Sequence, residues 1–211
     1  MEQRLKEILQ IPYVKLHFEV VFLEDTTLPI NKVSALRGGM GDMLLESFCV
    51  GNGVCGQCMF ATECMMQKTI YSQYERKPEF VTEGGSIGYV VECENYEQQF
   101  QKGEYLKFNL LLMGKTIAYV HLFLESFVKL GEAGLGSRHS KYEIVTVTNS
   151  LNKIIYANRK LVRAQFQILN IYDYVVYREN QLALSRIDIS EPTRRLYIWY
   201  AVFCMKKKAG G

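Results

Sequence analysis

The sequence lacks the features that would mark a membrane or secreted protein. No apolar run reaches the length of a membrane-spanning helix. The first ten residues, MEQRLKEILQ, mix both charge signs and lack the apolar segment of a secretory signal peptide. These absences predict a cytoplasmic protein with no membrane partner.

Histidine is scarce, with three residues in 211, and the net charge of +3 by itself indicates no class of partner. The distribution of charge says more. Residues 150–211 carry 11 Lys/Arg against 4 Asp/Glu, whereas residues 1–149 carry 14 against 18. A basic C-terminal part suggests a polyanionic partner, although an ordinary solvated face can have the same composition.

Cysteine, in contrast, is concentrated in one stretch. Four of the six cysteines lie in CVGNGVCGQCMFATEC, residues 49–64, with the spacing C-x5-C-x2-C-x5-C. The glycines let the backbone fold back, so that four thiolates can converge on one point. This pattern predicts a structural Zn²⁺ site formed by Cys49, Cys55, Cys58 and Cys64. An iron–sulfur cluster, and a set of reduced thiols or opportunistic disulfides, remain alternatives. The other two cysteines, Cys93 and Cys204, are predicted to be ordinary buried thiols.

The N-terminal third predicts a strand followed by a helix. Apolar and polar residues alternate over residues 13–23, which is typical of a half-buried strand with His17 on its polar face. Asn31 can cap a helix that runs to about Phe48. This helix contains glycines at 38, 39 and 41, which usually mark the close approach of another backbone or of a ligand.

The middle of the chain continues this alternation of strands and helices. We predict one or two strands over residues 80–94, a loop over 98–103, a strand over 104–113, a helix over 116–130 with His121 on its apolar stripe, and a strand over 141–147. The order strand, helix, strand, strand, helix, strand is the ferredoxin-like βαββαβ pattern of α+β proteins. Both helices should pack on one face of an antiparallel sheet, and the cysteine stretch is an insertion between the first helix and the second strand.

The chain therefore divides into residues 1–148, a ferredoxin-like domain with its four-cysteine insertion at 49–64, and residues 149–211. The second part begins with a linker at 149–152 and a tight turn at 157–158. Residues 164–178 are apolar and aromatic, and their pattern fits a helix as well as a strand. A strand is predicted within 193–205, as the start of a second, incomplete domain of the same kind.

The sequence of elements resembles the RAMP superfamily, specifically its CRISPR precursor-RNA-processing endoribonucleases. The strand HFEVVFLED precedes a helix with LRGGMGDML, and the cysteine stretch leads to a tyrosine-rich segment. The later stretch KFNLLLMGKTIAYVHLFLESFVKLGEAGLGSRHSKYEIVTV follows the family order of strand, helix, glycine-rich loop and strand. The resemblance covers residues 12–148. Members of this family usually have two such domains in tandem, and their catalytic histidine often lies in the first helix, where this chain has none.

The resemblance implies binding of CRISPR repeat RNA and its cleavage to guide RNA without a catalytic metal. A general base takes the proton of a 2′-hydroxyl, and cations stabilise the charge that develops on the phosphate. The catalytic candidates are His139, in GLGSRHSK, and His17. The RNA-binding candidates are Arg37, Arg138, Lys141 and Lys15. The alternative for Arg138, His139 and Lys141 is a solvated basic turn without function. The alternative for His17 is an ordinary histidine on a strand.

Two other functions remain open at this stage. One is a noncatalytic RAMP subunit that binds guide RNA, which the missing helix histidine favours. The other is a zinc-stabilised protein interaction module, which the acidic residues 1–149 favour. Other CRISPR effector proteins are further expected partners under either RAMP interpretation.

Overall fold

The computed structural model describes residues 6–7, 9–51, 53, 55–70, 88–162 and 166–184. The chain divides into two compact units, residues 1–171 and residues 172–211. The first unit contains a mixed α/β arrangement around an antiparallel sheet. The predicted strand within 193–205 lies outside the described residues.

The strands of the first unit are β1 (Pro12–Phe22), β2 (Thr26–Thr27), β3 (Tyr89–Glu92), β4 (Gln99–Phe100), β5 (Tyr105–Met113), β6 (Tyr142–Asn149), β7 (Ile154–Ala157), β8 (Lys160–Leu161) and β9 (Leu169–Asn170). The helices are α1 (Val33–Phe48), α2 (Met65–Thr69) and α3 (Val120–Ala133). From Tyr172 onwards, the helix α4 (Ile171–Leu184) is the described part of the second unit. Within it the Arg178 guanidinium lies 6.0 Å from the ring centroid of Tyr174.

Strand β1 lies at the centre of the main sheet, whose order is β3-β5-β1-β6-β7-β8. It pairs antiparallel with β5 on one side and β6 on the other, and β3 pairs antiparallel with β5. With α1 and α3, these four strands follow the predicted order along the chain. The antiparallel sheet is thus confirmed, and the arrangement is compatible with a ferredoxin-like fold.

One face of this sheet forms the core with both helices. From Val14 to Phe22, alternation in β1 buries the even-numbered residues, as the two-residue period of a strand requires. Phe18 stacks on Phe108 of β5 with 4.8 Å between ring centroids, and Phe127 of α3 lies 5.0 Å from each of them. Each such buried side chain contributes about 1.5–3 kcal/mol through removal from water. Because successive strand residues point to opposite sides, the odd-numbered residues at the centre of β1 lie on the opposite face of the sheet.

Helix α1 matches its prediction closely. It ends at Phe48, and the side-chain oxygen of Asn31 accepts a hydrogen bond of 3.1 Å from the Val33 N–H at its start. Of its three glycines, Gly39 marks a close approach, since a Cβ there would lie 2.5 Å from Leu130 of α3. The group that approaches Gly39 is a side chain, whereas the sequence suggested a backbone segment or a ligand.

Helix α3 begins later than predicted and presents a different face. Residues 114–119 form a 3₁₀ turn, and the α-helix then runs from Val120 to Ala133. The prediction that His121 lies on the apolar stripe is wrong, because its side chain is exposed. The buried face is centred on Phe123, Phe127 and Leu130. A helical register counted from residue 116 places His121 on the wrong face, because the first turn has three residues per turn instead of 3.6.

A further difference comes from pairing between distant segments. The predicted loop at 98–103 contains β4, which pairs with β2 and its Thr26–Thr27. Of the predicted strands over 80–94, the structure shows β3, and residues 71–87 lie outside the described part. The predicted turn at 157–158 is present one residue later, since Asn158 and Arg159 both have positive φ and join β7 to β8.

The sheet continues beyond residue 148. Strands β7 and β8 extend it next to β6, and β9 pairs with the start of β1. The first unit accordingly runs to residue 171, whereas the sequence placed the division near 148. The start of a second, similar domain after that point stays a prediction.

Candidate functional sites

The four clustered cysteines lie at the ends of two helices and in the turn between them. Cys49 follows α1, and its N–H donates a 3.0 Å hydrogen bond to the Leu45 carbonyl. Cys64 precedes α2 as its N-cap residue. Between them, Cys55 begins a 3₁₀ turn, and the N–H of Cys58 donates to its carbonyl at 3.3 Å. The helix ends thus fix the outer cysteines, and the turn brings the inner pair between them.

All four thiols line one small pocket, together with glycines 51 and 53, Ala61 and Gln67. A Cβ on Gly51 would lie 3.6 Å from the Cys58 sulfur. Burial raises the pKa of Cys55, and the neighbouring thiols of Cys64, Cys49 and Cys58 raise it further. The described cysteines form no disulfide. The four cysteines therefore line a common pocket, and their convergence on one metal ion stays a prediction.

A metal site needs more than convergence. Among the residues that the structure describes, no group of three or more His, Cys, Asp or Glu side chains is placed to hold a metal ion. The donor set suits a soft cation such as Zn²⁺, which prefers thiolate ligands. The thiols suit zinc by their chemistry, and zinc itself stays a prediction. Of the two cysteines outside the cluster, Cys93 is half-buried, and Cys204 lies outside the described residues.

Gln67 adds an unexpected polar group to this pocket. Its Oε1 atom is buried, and it has no hydrogen-bond partner in the described part of the chain. Gln67 is the third residue of α2, a position from which glutamine often accepts a hydrogen bond from the N-cap N–H. Here the N-cap N–H, that of Cys64, donates to the Phe60 carbonyl at 2.8 Å instead. The amide is left facing a pocket of thiols.

The glycine-rich loop at 134–141 follows α3 in a tightly turned conformation. Gly134 ends the helix with φ of 100°, and a Cβ there would overlap the backbone of His139. Leu135 and Ser140 exchange two main-chain hydrogen bonds, of 2.9 and 3.1 Å, which close the loop. Glycine at 134 is therefore required both by the backbone angle and by the space.

Hydrogen bonds anchor this loop to β2 and to the turn before it. The hydroxyls of Ser140 and Thr26 share a buried hydrogen bond. Arg138 donates to Thr27 Oγ1 at 3.2 Å, and the Lys141 N–H donates to Glu24 Oε1 at 3.0 Å. The loop is thus held at the end of β1, with one carboxylate beside its basic residues.

The side chains of Arg138, His139 and Lys141 are exposed on this loop. In the described residues, the consecutive N–H groups of Gly136, Ser137 and Arg138 have no protein acceptor. Successive free N–H groups next to a positive φ, which Gly136 has at 73°, form a concave anion-binding arrangement. The loop therefore combines two cationic side chains with main-chain donors.

The second candidate, His17, lies on the open face of the main sheet. Its Nδ1 atom is 2.8 Å from Oδ1 of Asn109 on β5. The Asn109 amide nitrogen donates to Glu92 Oε2 at 3.2 Å, and Lys15 Nζ donates to the same oxygen at 2.8 Å. Lys15, predicted as an RNA contact, is thus engaged in an ion pair within the protein.

The two histidine candidates are far apart. Leu23, just after β1, donates to the Lys141 carbonyl at 3.0 Å, so the glycine loop lies at that end of the strand. From His17 to Leu23 the extended chain spans about 20 Å. Arg37 is a third separate position, where its Nε donates to the Tyr89 hydroxyl at 3.0 Å and its guanidinium covers the Tyr89 ring. The predicted site residues therefore form separate groups.

Sequence reasoning missed Asn109, Glu92 and Lys32. Lys32 is buried at the start of α1. Its ammonium donates to main-chain carbonyls of two segments, one before α1 and one before β4. The acceptors are the carbonyls of Pro29, Ile30, Asn95 and Glu97. Burial lowers the pKa of Lys32. Period-two alternation along β5 could have placed Asn109 on a polar face, but its partner on β1 depends on strand pairing. No local signal predicts a lysine caged by carbonyls.

Comparison with known protein families gives one match that covers most of the chain. A family model described as AF_1859_N, N-terminal domain, matches residues 9–167, more than half of the chain. No curated protein matches. Within the described residues, none of the helices combines the length and the apolar character that crossing a bilayer requires.

Several solved structures have distant similarity. One is the Csm3-Csm4 subcomplex of the type III-A CRISPR-Cas interference complex, with 16% identity, a TM-score of 0.41, and coverage of 64% of this chain and 77% of that chain. Others are a partial and a complete Cas6-RT-Cas1–Cas2 complex, each with 11% identity and a TM-score of 0.37. The alignment covers 72% of this chain and only 20% and 12% of those longer chains. The family match, rather than these likenesses, assigns the chain: it belongs to the AF_1859_N N-terminal domain family.

Proposed function

We propose that this chain is a ferredoxin-like RAMP domain that binds CRISPR repeat RNA. The order of sequence motifs over residues 12–148 supports the proposal, and so does the arrangement of β1, α1, β3, β5, α3 and β6 around an antiparallel sheet. The observation that carries it is the glycine loop, which presents exposed Arg138 and Lys141 beside free main-chain N–H groups.

This loop suits a phosphodiester better than a protein partner. A phosphate oxygen can accept from the Ser137 and Arg138 N–H groups while a guanidinium pairs with a second oxygen. Arg138 already donates to Thr27, which holds the guanidinium near the loop instead of leaving it fully extended. The carboxylate of Glu24 limits the net positive potential, so affinity should depend on several such contacts rather than on one.

Binding to repeat RNA tests the proposal directly. Labelled repeat RNA is titrated with the full chain at increasing salt concentration, with a non-repeat RNA of equal length as the comparison. Affinity that falls steeply with salt supports an RNA role. No salt-dependent affinity for either RNA, in this chain or in a longer natural form, contradicts it.

We further propose that the chain cleaves the RNA that it binds. His17 is held by Asn109, whereas the His139 side chain projects from a loop and has no partner among the described residues. A positioned imidazole is the better general base, because it needs no ordering at the moment of proton transfer. We place the base at His17 and assign Arg138, His139 and Lys141 to phosphate contact.

The second candidate function is a noncatalytic RAMP subunit that holds guide RNA. The roughly 20 Å of strand between His17 and the glycine loop favours it, since the two cannot act on the same phosphate. Incubation of repeat RNA with the chain in EDTA separates these functions. Products with a 2′,3′-cyclic phosphate indicate the endoribonuclease, and intact bound RNA indicates the subunit.

The remaining part of the proposal concerns the cysteine pocket, which we assign to structural Zn²⁺. Convergence of Cys49, Cys55, Cys58 and Cys64 on one pocket supports this assignment. Four neighbouring thiolates repel one another, and a divalent cation would offset that repulsion. The Oε1 atom of Gln67 has no partner in the described residues, and with the amide reversed its nitrogen would donate to a thiolate, as outer groups around metal sites commonly do. The metal would fix the segment between α1 and α2.

A further inference from the structure

We infer that Asn109 is a positioning residue that fixes the tautomer of His17 and leaves the lone pair of the ring on Nε2. The inference starts from a chain of side-chain hydrogen bonds on the open face of the sheet, Lys15–Glu92–Asn109–His17. Its catalytic consequence rests on the proposed RNA cleavage. The tautomer itself does not, and can be measured without RNA.

The direction of each hydrogen bond follows from donor and acceptor chemistry. An ionised carboxylate only accepts, so the Glu92 Oε2 atom must receive from both Lys15 Nζ at 2.8 Å and Asn109 Nδ2 at 3.2 Å. The opposite orientation of the Asn109 amide would place its oxygen against Glu92, two acceptors together. The amide nitrogen therefore faces Glu92.

The position of the amide oxygen then decides the state of the imidazole. With its nitrogen towards Glu92, Asn109 presents Oδ1 to His17 Nδ1 at 2.8 Å. An amide oxygen cannot donate, so Nδ1 carries the hydrogen. In a neutral imidazole only one nitrogen is protonated, and Nε2 therefore keeps its lone pair.

Strand register makes this arrangement rigid. His17 lies directly opposite Asn109, and Asn109 directly opposite Glu92, on three adjacent strands. Lys15 lies two residues before His17 and so on the same face. Groups on strands hold their geometry better than groups on loops, which distinguishes His17 from His139. On its other side His17 faces Thr148 of β6, and Glu19, two residues along, pairs with Lys107 at 2.9 Å.

The consequence for RNA cleavage is a defined base. The 2′-hydroxyl would lose its proton to Nε2 as the bond from the 2′-oxygen to phosphorus forms. The bond from phosphorus to the 5′-oxygen breaks, and solvent water supplies the proton that the leaving oxygen needs. Asn109 touches none of the reacting atoms; it keeps Nδ1–H in place while the imidazolium forms, and Glu92 holds the amide.

The test is nitrogen NMR of the histidine rings in the full, ¹⁵N-labelled chain, in alkaline buffer where imidazoles are ordinarily neutral. His17→Gln assigns the His17 signals by their loss. We expect the wild type to show a protonated Nδ1 and an unprotonated Nε2. Asn109→Leu should shift His17 to the Nε2–H form or to a mixture, because no acceptor oxygen then faces Nδ1. Lys107→Gln, on the same face of β5, serves as the control and should change nothing.

The inference is overturned if wild-type His17 carries its hydrogen on Nε2, or if folded Asn109→Leu keeps the wild-type pattern. If Asn109→Leu does not fold, the wild-type spectrum still decides which nitrogen carries the hydrogen. Where RNA is cleaved, Asn109→Leu should lower kcat at least tenfold with little change in affinity, as for loss of a group that acts on the transition state. The expected tautomer without any RNA cleavage would refute the proposed catalysis and leave the tautomer assignment standing.

Discussion

Gly134 packs directly against the main chain of His139 at the end of α3, where a Cβ on the glycine would overlap the histidine carbonyl. The glycine loop can close as it does only because residue 134 has no side chain. Its φ of 100° adds a second reason, since other residues are strained at that angle. The candidate RNA surface at Arg138 and Lys141 thus depends on a residue that would not itself touch RNA.

Gly134→Ala should open or destabilise this loop. Strain of this kind costs about 1–3 kcal/mol, and RNA affinity should fall with it because the donors of the loop lose their arrangement. Gly41→Ala is the matched control, since that glycine lies inside α1 with open space around its Cα, and it should raise stability by up to about 1 kcal/mol. Chemical denaturation and RNA titration measure both effects. Equal stability and affinity for Gly134→Ala and wild type would contradict the loop geometry described above.

Arg138→Ala should weaken RNA binding and lower its salt dependence. Loss of one phosphate contact reduces the slope of log affinity against log salt by about 0.7–0.9. Lys68→Ala is the comparison, because Lys68 is exposed and cationic but pairs with Glu63 on the cysteine segment. Titrations at four or more salt concentrations give both slopes. If the two variants change the slope alike, the glycine loop has no special part in binding.

The two histidines should respond differently to substitution. His17→Gln should abolish cleavage and leave affinity almost unchanged, since it removes the base but no phosphate contact. His139→Ala should weaken binding modestly and lower cleavage in proportion. Single-turnover rates at saturating protein, beside Kd for uncleavable RNA, separate the effects. Cleavage lost in His139→Ala alone would place the base in the loop instead.

Cys58→Ser should remove bound metal from the purified, reduced protein. Because metal binding is coupled to folding, the free energy of unfolding should fall by several kcal/mol. Cys93→Ser is the control, since the Cys93 thiol lies outside the cluster and donates to the Lys107 carbonyl. Elemental analysis and denaturation in the presence and absence of a chelator provide the measurements.

Within the same site, Gln67→Leu should weaken zinc binding about 10- to 100-fold, the usual cost of losing a partner of the ligands. Competition with a chromophoric chelator measures this change. Metal-free wild-type protein whose stability chelators do not affect would refute the zinc assignment.

Tyr142 should make stability fall in alkaline solution. Its hydroxyl is buried and donates to the Phe127 carbonyl at 2.8 Å, and burial raises its pKa far above the ordinary 10.0. Above pH 10 the unfolded chain loses this proton while the folded chain keeps it, so folding becomes less favourable by up to about 1.4 kcal/mol per pH unit. Below pH 10 the residue has no such effect. In Tyr142→Phe this part of the decline should disappear, and denaturation at a series of pH values compares the two proteins.

The elements that were predicted correctly are those whose signal is local. Alternation in β1 identified its buried face, because successive strand residues point to opposite sides of a sheet. Asn31 at the start of α1 acts through a hydrogen bond to the Val33 N–H, two residues along the chain. The cysteine spacing was also sufficient to predict that the four cysteines lie around one pocket, since the ends of a short segment cannot move far apart.

The surroundings of His17 depend instead on tertiary structure. The sequence placed it on a polar strand face, but Asn109 is 92 residues away, and the Lys15–Glu92 pair is 77 residues apart. These side chains meet because packing of Phe18 and Phe108 against Phe127 fixes how β1 registers with β5. A shift of one residue would move His17 to the core face. The sequence by itself determined which residues could serve as base, phosphate contact and thiol ligand, whereas the sheet register, which is a property of the whole core, decided which of them are held together.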